Sequence, residues 1–145
     1  MYKRQVFDTN FTADLTIIEE GTELILRLYK ALVKKEQVAI PQFTSCSPGW
    51  VKYLEHFYPE YIDNLSSAKS PQQMFGALIK TFYAQKKGID PKDIVSVAVM
   101  PCAAKTFECN RPEMADPGFK DVDYGLPPRD LGQMLKEAGI YLPTM

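Results

Sequence analysis

Residues 93–102 read DIVSVAVMPC, and this run decides the fold. Its β-branched and apolar residues are nearly continuous, and Pro101 and Cys102 close it. That pattern predicts a strand buried on both faces, as in a parallel sheet, rather than a half-exposed strand with alternating polarity. Working outward, the preceding stretch SPQQMFGALIKTFYAQKKG predicts a helix with Ser70 as cap, Pro71 at its first position and Gly88 at its stop. After the strand, KDVDYGL predicts a weaker strand and PRDLGQMLKEAG a closing helix. Further upstream, QVFDT and QVAIPQFTSC read as strands, the second pairing imperfectly or lying near an edge because of Pro41. A helix is predicted over 13–35, where Leu15, Ile18, Leu24, Leu28 and Leu32 recur at helical spacing, and another over PGWVKYLEHFY, with Pro48 in its first turn. Asp8, Thr9 and Thr12 are the candidate caps of the first helix. Strands alternating with helices predict an α/β fold with a largely parallel sheet flanked by helices.

With 145 residues, no repeat and no linker, the chain reads as a single domain over 1–145. A formal net charge of -1 carries no electrostatic footprint for nucleic acid or an anionic membrane. No apolar run is long enough to span a bilayer, and MYKRQVFDTNF lacks the pattern of a secretory signal, so the expected location is cytoplasmic. The three cysteines, Cys46, Cys102 and Cys109, are odd in number and widely spaced. They do not read as a disulfide framework; buried thiols, nucleophiles and metal ligands all remain open. Cys46 and Cys102 each end a predicted strand beside a proline, at the carboxyl edge where open parallel sheets gather ligands.

The segments FTSCSPGW, NLSSAKSPQQMFG and VAVMPCAAKTFECNRPEM, in that order, resemble the first two signature segments of the iron-only ([FeFe]) hydrogenases and the stretch between them. The likeness continues through VFDTNFTADLTIIEEGTEL upstream and VDYGLPPRDLGQMLKEAGI downstream, and so covers nearly the whole chain. It implies the first lobe of a two-lobe catalytic domain. The implied cofactor is the H-cluster, a [4Fe-4S] cubane joined to a two-iron subcluster. The implied reaction is reversible reduction of protons to hydrogen, with ferredoxin or an electron-transfer subunit as electron partner.

The resemblance also assigns roles. Cys102 matches a cubane ligand, and Lys105 matches the lysine that donates to an iron-bound cyanide, with Glu108 placed to hold it. Met100 matches the methionine beside the distal iron, while Pro71 and Gln72 match residues that wall the subcluster. Cys46, Glu20, Ser66, Glu23 and Arg27 match, in that order, the members of the family's proton path. Glu20, Glu23 and Arg27 are spaced i, i+3, i+7 and share one helical face. An isolated surface ion pair is the ordinary reading of such a face; the resemblance turns it into a relay. Cys109 matches no ligand and reads as structural.

Two departures qualify the likeness. Family members carry two adjacent cysteines in the first signature, the first relaying protons and the second binding iron, whereas this chain has Cys46 followed by Ser47. Either Ser47 replaces a ligand or Cys46 takes over ligation. The family's last cysteine signature is also missing, since no cysteine follows Cys109. The expectation is a fragment or split part of a catalytic subunit, inactive alone, with the remaining lobe as partner. The alternative expectation is a non-catalytic relative acting in iron-sulfur assembly or hydrogen sensing.

Overall fold

A computed structural model describes residues 5–141. The chain is mixed α/β, with six α-helices and one small parallel sheet among the described residues. It divides into two compact units, one up to Phe75 and one from Gly76 onward, each with its own interior.

In the first unit, helix α1 spans Asn10–Leu32 and starts three residues earlier than its apolar spacing suggests. Asp8 explains the early start: its Oδ1 accepts from the Asn10 N–H at 2.9 Å and its carbonyl from Phe11 N–H. The buried face of α1 is polar. Thr12 Oγ1 donates to the Pro71 carbonyl at 2.9 Å, and Thr16 Oγ1 to its own preceding turn at Thr12 and to Met74 Sδ. Many of its apolar residues face outward instead, Ile25 being 67% and Leu32 73% exposed. A helix that is apolar over more than one face is a core helix by composition.

Helix α2 spans Pro48–Phe57, with Pro48 at its first turn, and buries Leu54. A 3-10 turn, Pro59–Asn64, follows. Two expected strands are not strands. QVFDT forms no strand among the described residues: Val6 is exposed, and Phe7 packs its ring on Phe75 at 5.3 Å. In QVAIPQFTSC a single parallel bridge forms, Phe43 to Leu65. Two of its carbonyls are taken by side chains, that of Ala39 by Arg27 and that of Pro41 by Asn64. Pro41 has no N–H to offer in return. Cys46 therefore stands in an extended connection ahead of α2, not at a strand end.

Helix α3, Pro71–Leu78, begins where Ser70 and Pro71 place it, with Ser70 Oγ accepting from Gln73 N–H. It runs through one wide turn, Ile79–Tyr83, in which the Ala84 N–H reaches back five residues to Ile79, and into α4, Ala84–Lys87. Gly88 ends the run in the left-handed conformation (φ 62°) that favours glycine.

The second unit holds the strand that the sequence shows best, three residues long and not buried on both faces as expected, since Val97 is 56% and Val99 43% exposed. β1, Val97–Val99, pairs in parallel with β2, Tyr124–Leu126, in the register Val97 to Tyr124 and Val99 to Leu126. Helix α5, Ala104–Glu108, crosses between them, and α6, Pro128–Glu137, closes the unit. The α/β expectation thus holds with a sheet of two strands. At Gly125 a Cβ would lie 3.1 Å from the Thr106 backbone and 3.3 Å from Cys109 Sγ, which is how α5 comes down onto β2. The interior also contains an ion pair: Lys80 Nζ meets Asp123 Oδ1 at 2.8 Å, and Asp123 Oδ2 accepts from the N–H and hydroxyl of Ser96.

Gly76 is the most closely approached glycine of this unit, since a Cβ there would fall 2.2 Å from the Asp121 carbonyl oxygen. Gly76→Ala is expected to destabilise the second unit by about 1–3 kcal/mol, the range of an overpacked core. Urea unfolding of the two proteins measures it, and equal midpoints would show that the helix yields freely.

Candidate functional site

In the first unit the predicted relay residues are built around one carboxylate. Glu23 and Arg27 lie one turn apart on α1, and Arg27 Nε and Nη2 donate to Glu23 Oε1 at 3.1 and 2.6 Å. Ser66 Oγ donates to Glu23 Oε2 at 2.6 Å, and Ser67 N–H adds a bond of 3.0 Å to the same oxygen. Arg27 also donates to three main-chain carbonyls, those of Ala39, Asp63 and Leu65. All five guanidinium hydrogens thus have acceptors. Glu23 and Arg27 border an open cleft of about 640 Å³ shared with Lys30, Glu60 and Asp63, which brings this end of the line to the surface.

Burial pushes the Glu23 carboxyl up, and it is the largest single influence. The hydrogen bonds from Ser66, Arg27 and Ser67 together outweigh it and hold the group below its ordinary value. Ser66 is buried, and its oxygen accepts from the Ala68 N–H while its hydrogen goes to Glu23. The hydroxyl is therefore set both to accept and to donate.

Glu20, one turn before Glu23, takes the other end. Its Oε1 accepts from Ser45 N–H at 3.4 Å, next in sequence to Cys46, and its backbone carbonyl from Gln42 Nε2 at 3.1 Å. Among the described residues no hydrogen bond joins Glu20 to Ser66. Cys46 is exposed and forms no disulfide. Ser47 occupies the cap position of α2, but its hydroxyl makes no capping bond and is exposed. Pro71 is the first residue of α3, and Gln72 beside it is almost fully buried. Sequence reasoning missed Gln42 and Ser45, because neither type stands out in a run that reads as a strand.

In the second unit Met100 follows β1, its N–H donating to the Leu126 carbonyl at 3.1 Å. Cys102 is exposed two residues later, and its carbonyl accepts the Lys105 N–H that starts α5. Lys105 Nζ lies 3.1 Å from Glu108 Oε2, with 14% and 5% of the two side chains exposed. Cys109 is buried against Gly125.

A match to the model of the iron-only hydrogenase large subunit, C-terminal domain, runs over residues 3–145. The chain belongs to that family. It is 48% identical over 136 residues to Iron hydrogenase 1 of Clostridium pasteurianum, covering 94% of this chain and 23% of that one. It is 49% identical to the periplasmic [Fe] hydrogenase large subunit of Nitratidesulfovibrio vulgaris, covering 92% of this chain and 31% of that one. A solved apo [FeFe]-hydrogenase variant, HydA1 from Chlamydomonas reinhardtii, matches with a TM-score of 0.86 and 47% identity over 96% of this chain and 35% of its own. More distant relatives include cytosolic iron-sulfur assembly component 3 of Rattus norvegicus, at 36% identity. The chain therefore spans 23% to 35% of the length of these hydrogenases. The resemblance carried by the motifs is borne out. Another matched structure concerns stepwise H-cluster assembly in a hydrogenase of this kind.

The donor set fits only part of such a cluster. A cubane takes four cysteine thiolates. This chain has three cysteines, one of them buried, and among the described residues no group of three or more His, Cys, Asp or Glu converges on a metal-sized site.

Because Glu23 is held below its ordinary value, its contribution to stability is complete above the unfolded carboxylate range near pH 4.3 and is lost as pH falls through its folded value. Arg27→Gln removes the cation and leaves the burial, so the Glu23 carboxyl is expected to titrate at higher pH than in the parent. A carbon-detected NMR titration of Glu23 reads this directly; an unmoved midpoint would mean that Arg27 does not hold the charge.

Proposed function

We propose that this chain is part of the catalytic subunit of an [FeFe] hydrogenase, whose reaction is reversible reduction of protons to hydrogen at an H-cluster. The observation that carries the proposal is the bonded line Ser66–Glu23–Arg27. It occurs in the order that the family's proton path requires, with Ser66 to Glu23 at 2.6 Å. The complete cluster would supply the electrons to the protons; this chain's residues deliver and position. Cys102 would serve as one cubane ligand and Lys105 would donate to the two-iron unit, with Glu108 fixing its ammonium; Met100 in the second unit, and Pro71 and Gln72 in the first, would contribute as the family resemblance implies. Cys46 and Glu20 hand protons to or from Ser66, whose hydroxyl accepts one proton as it releases another to Glu23. Glu23 exchanges with solvent in the cleft, and Arg27 keeps its carboxylate oriented.

The remaining lobe of the catalytic domain is the first partner, and ferredoxin or an electron-transfer subunit the second. Short coverage of the relatives named above and the outward-facing apolar residues of α1 support the reading that this lobe works within a larger body. A cytoplasmic compartment is part of this proposal, while the relative from Nitratidesulfovibrio vulgaris is periplasmic. The assembly-component relatives favour a second reading, a non-catalytic iron-sulfur protein; the retained relay residues weigh against it.

Alone, the chain is expected to take up less than one stable [4Fe-4S] cluster on anaerobic reconstitution, because too few thiolates are present. Iron and sulfide analysis tests this, and a stoichiometric cluster on the monomer would overturn the ligand count. When the chain is joined to the remaining lobe and loaded, Glu23→Gln is expected to keep its iron and to lose turnover by a factor of roughly 100 or more. The pair Cys46→Ala and Ser47→Ala assigns the first signature. If Cys46 is the relay, its variant keeps iron and loses turnover; iron loss in the Cys46 variant makes it a ligand.

A further inference from the structure

Where the small sheet begins, Ser96 and Asp123 are tied to each other through main chain and side chain. The Ser96 carbonyl accepts from the N–H groups of Asp123 and Tyr124 at 3.1 and 3.2 Å, and Asp123 Oδ2 accepts from Ser96 N–H at 2.7 Å. The Ser96 hydroxyl accepts from Asp123 N–H at 3.2 Å and lies 3.0 Å from both Asp123 Oδ2 and the Asp121 carbonyl, either of which takes its hydrogen. Lys80 closes this clasp from outside the sheet. Its side chain is 3% exposed, and its Nζ donates to Asp123 Oδ1 at 2.8 Å. It sits in the wide turn Ile79–Tyr83, a type of helix irregularity found frequently at functional sites.

Apolar burial does not set the register of this sheet. β1 offers three paired residues, with Val97 and Val99 exposed on one face and Ala98 half-buried on the other. A strand with neither face fully buried has a weakly specified register, and a slip of one residue turns every side chain over. The clasp supplies what burial does not. It fixes Ser96 and Asp123 one residue before the pair Val97 and Tyr124, and the register then runs to the far end, where Met100 N–H donates to the Leu126 carbonyl. Cys102 follows two residues on, and its carbonyl starts α5 by accepting from Lys105 N–H. The two carboxylate oxygens of Asp123 divide the work, one facing Lys80 and the other Ser96. With the ammonium gone, a buried oxygen would lack a donor, and the carboxylate would turn to water and release Ser96.

We propose that Lys80 is a positioning residue for the turn at 100–102: through Asp123 and Ser96 it sets the register of β1 on β2, and with it where Met100 and Cys102 stand. The inference rests on the reading of Cys102 as a cluster ligand and adds to that site a residue from a different element, one that touches neither the cluster nor its ligands.

In the full chain without a cluster, Lys80→Met removes the ammonium and keeps an unbranched side chain. Amide exchange followed by NMR is expected to quicken roughly tenfold or more at Met100, Asp123 and Tyr124 while the amides of α6 keep their parent rates. Nuclear Overhauser contacts between Val97 and Tyr124 and between Val99 and Leu126 are expected to weaken together. Parent exchange and contacts in the variant overturn the clasp; so does equal acceleration throughout the second unit, which is what a merely structural role gives. In the assembled, cluster-loaded domain, Lys80→Met is expected to lose iron and to shift the EPR g values of the cluster that remains. Parental iron and g values despite altered exchange overturn the positioning role. Cys102→Ala tests the underlying reading by itself: if that variant keeps the parent's iron, the ligand reading falls and the link from Lys80 to the cluster with it, whatever the exchange shows. Should Lys80→Met fail to fold, Ser96→Ala decides, since it removes only a hydroxyl: faster exchange at Met100 with α6 unchanged supports the clasp, and parent exchange there overturns it.

Discussion

One guanidinium holds the first unit together. Arg27 reaches from α1 to the carbonyls of Ala39, Asp63 and Leu65 and still gives two hydrogens to Glu23. Three stretches of chain distant in sequence are thereby referred to one side chain, and the Phe43 to Leu65 bridge forms in the space between them. Hydrogen bonds to a charged group are each worth about 1.5–3 kcal/mol. The planar, always-charged fork of Arg can make all five at once, whereas Lys offers a single compact point of charge. The same side chain sets the orientation of the carboxylate that the proposed relay depends on.

The second unit solves a similar problem with a different pair. Lys80 is 4% exposed, and its charge is answered by Asp123, which also gathers the N–H and hydroxyl of Ser96 at the start of β1. Burial acts to raise the Asp123 carboxyl, and the bonds from Lys80 and Ser96 reverse that and hold it low. Removing one member of such a pair leaves a buried charge unanswered, which is far costlier than the pair is stabilising. In both units, then, ionic and hydroxyl contacts locate the strand or extended segment, and apolar packing fills in around them.

Much of this was legible in the sequence, and the exceptions share a cause. Helices announced themselves through Pro48, Ser70, Pro71 and Gly88, because caps and first turns are local chemistry. β1 was legible because a continuous β-branched run has few other uses. The two strands that failed to form have the right residue types, but a ladder needs a partner backbone. For QVFDT none is present among the described residues, and for QVAIPQF two carbonyls are claimed by Arg27 and Asn64 from elsewhere in the chain. At the site, the spacing of Glu20, Glu23 and Arg27 placed them on one face, and the likeness to a family singled out Ser66. Gln42 was not legible, since its bond to the Glu20 carbonyl, 22 residues away, is set by the tertiary fold.

The wide turn at Ile79–Tyr83 bears on how a helix can absorb a change in chain length. A π-type turn takes in one residue more than an α-turn without opening a loop, and it re-aims the side chains that follow relative to those before it. Lys80, the buried cation, lies inside it. An aligned relative with one residue fewer here would show a gap in the middle of an uninterrupted helix. The positions on either side of that gap would still superimpose, and the missing residue would be absorbed by tightening a single turn around the lysine.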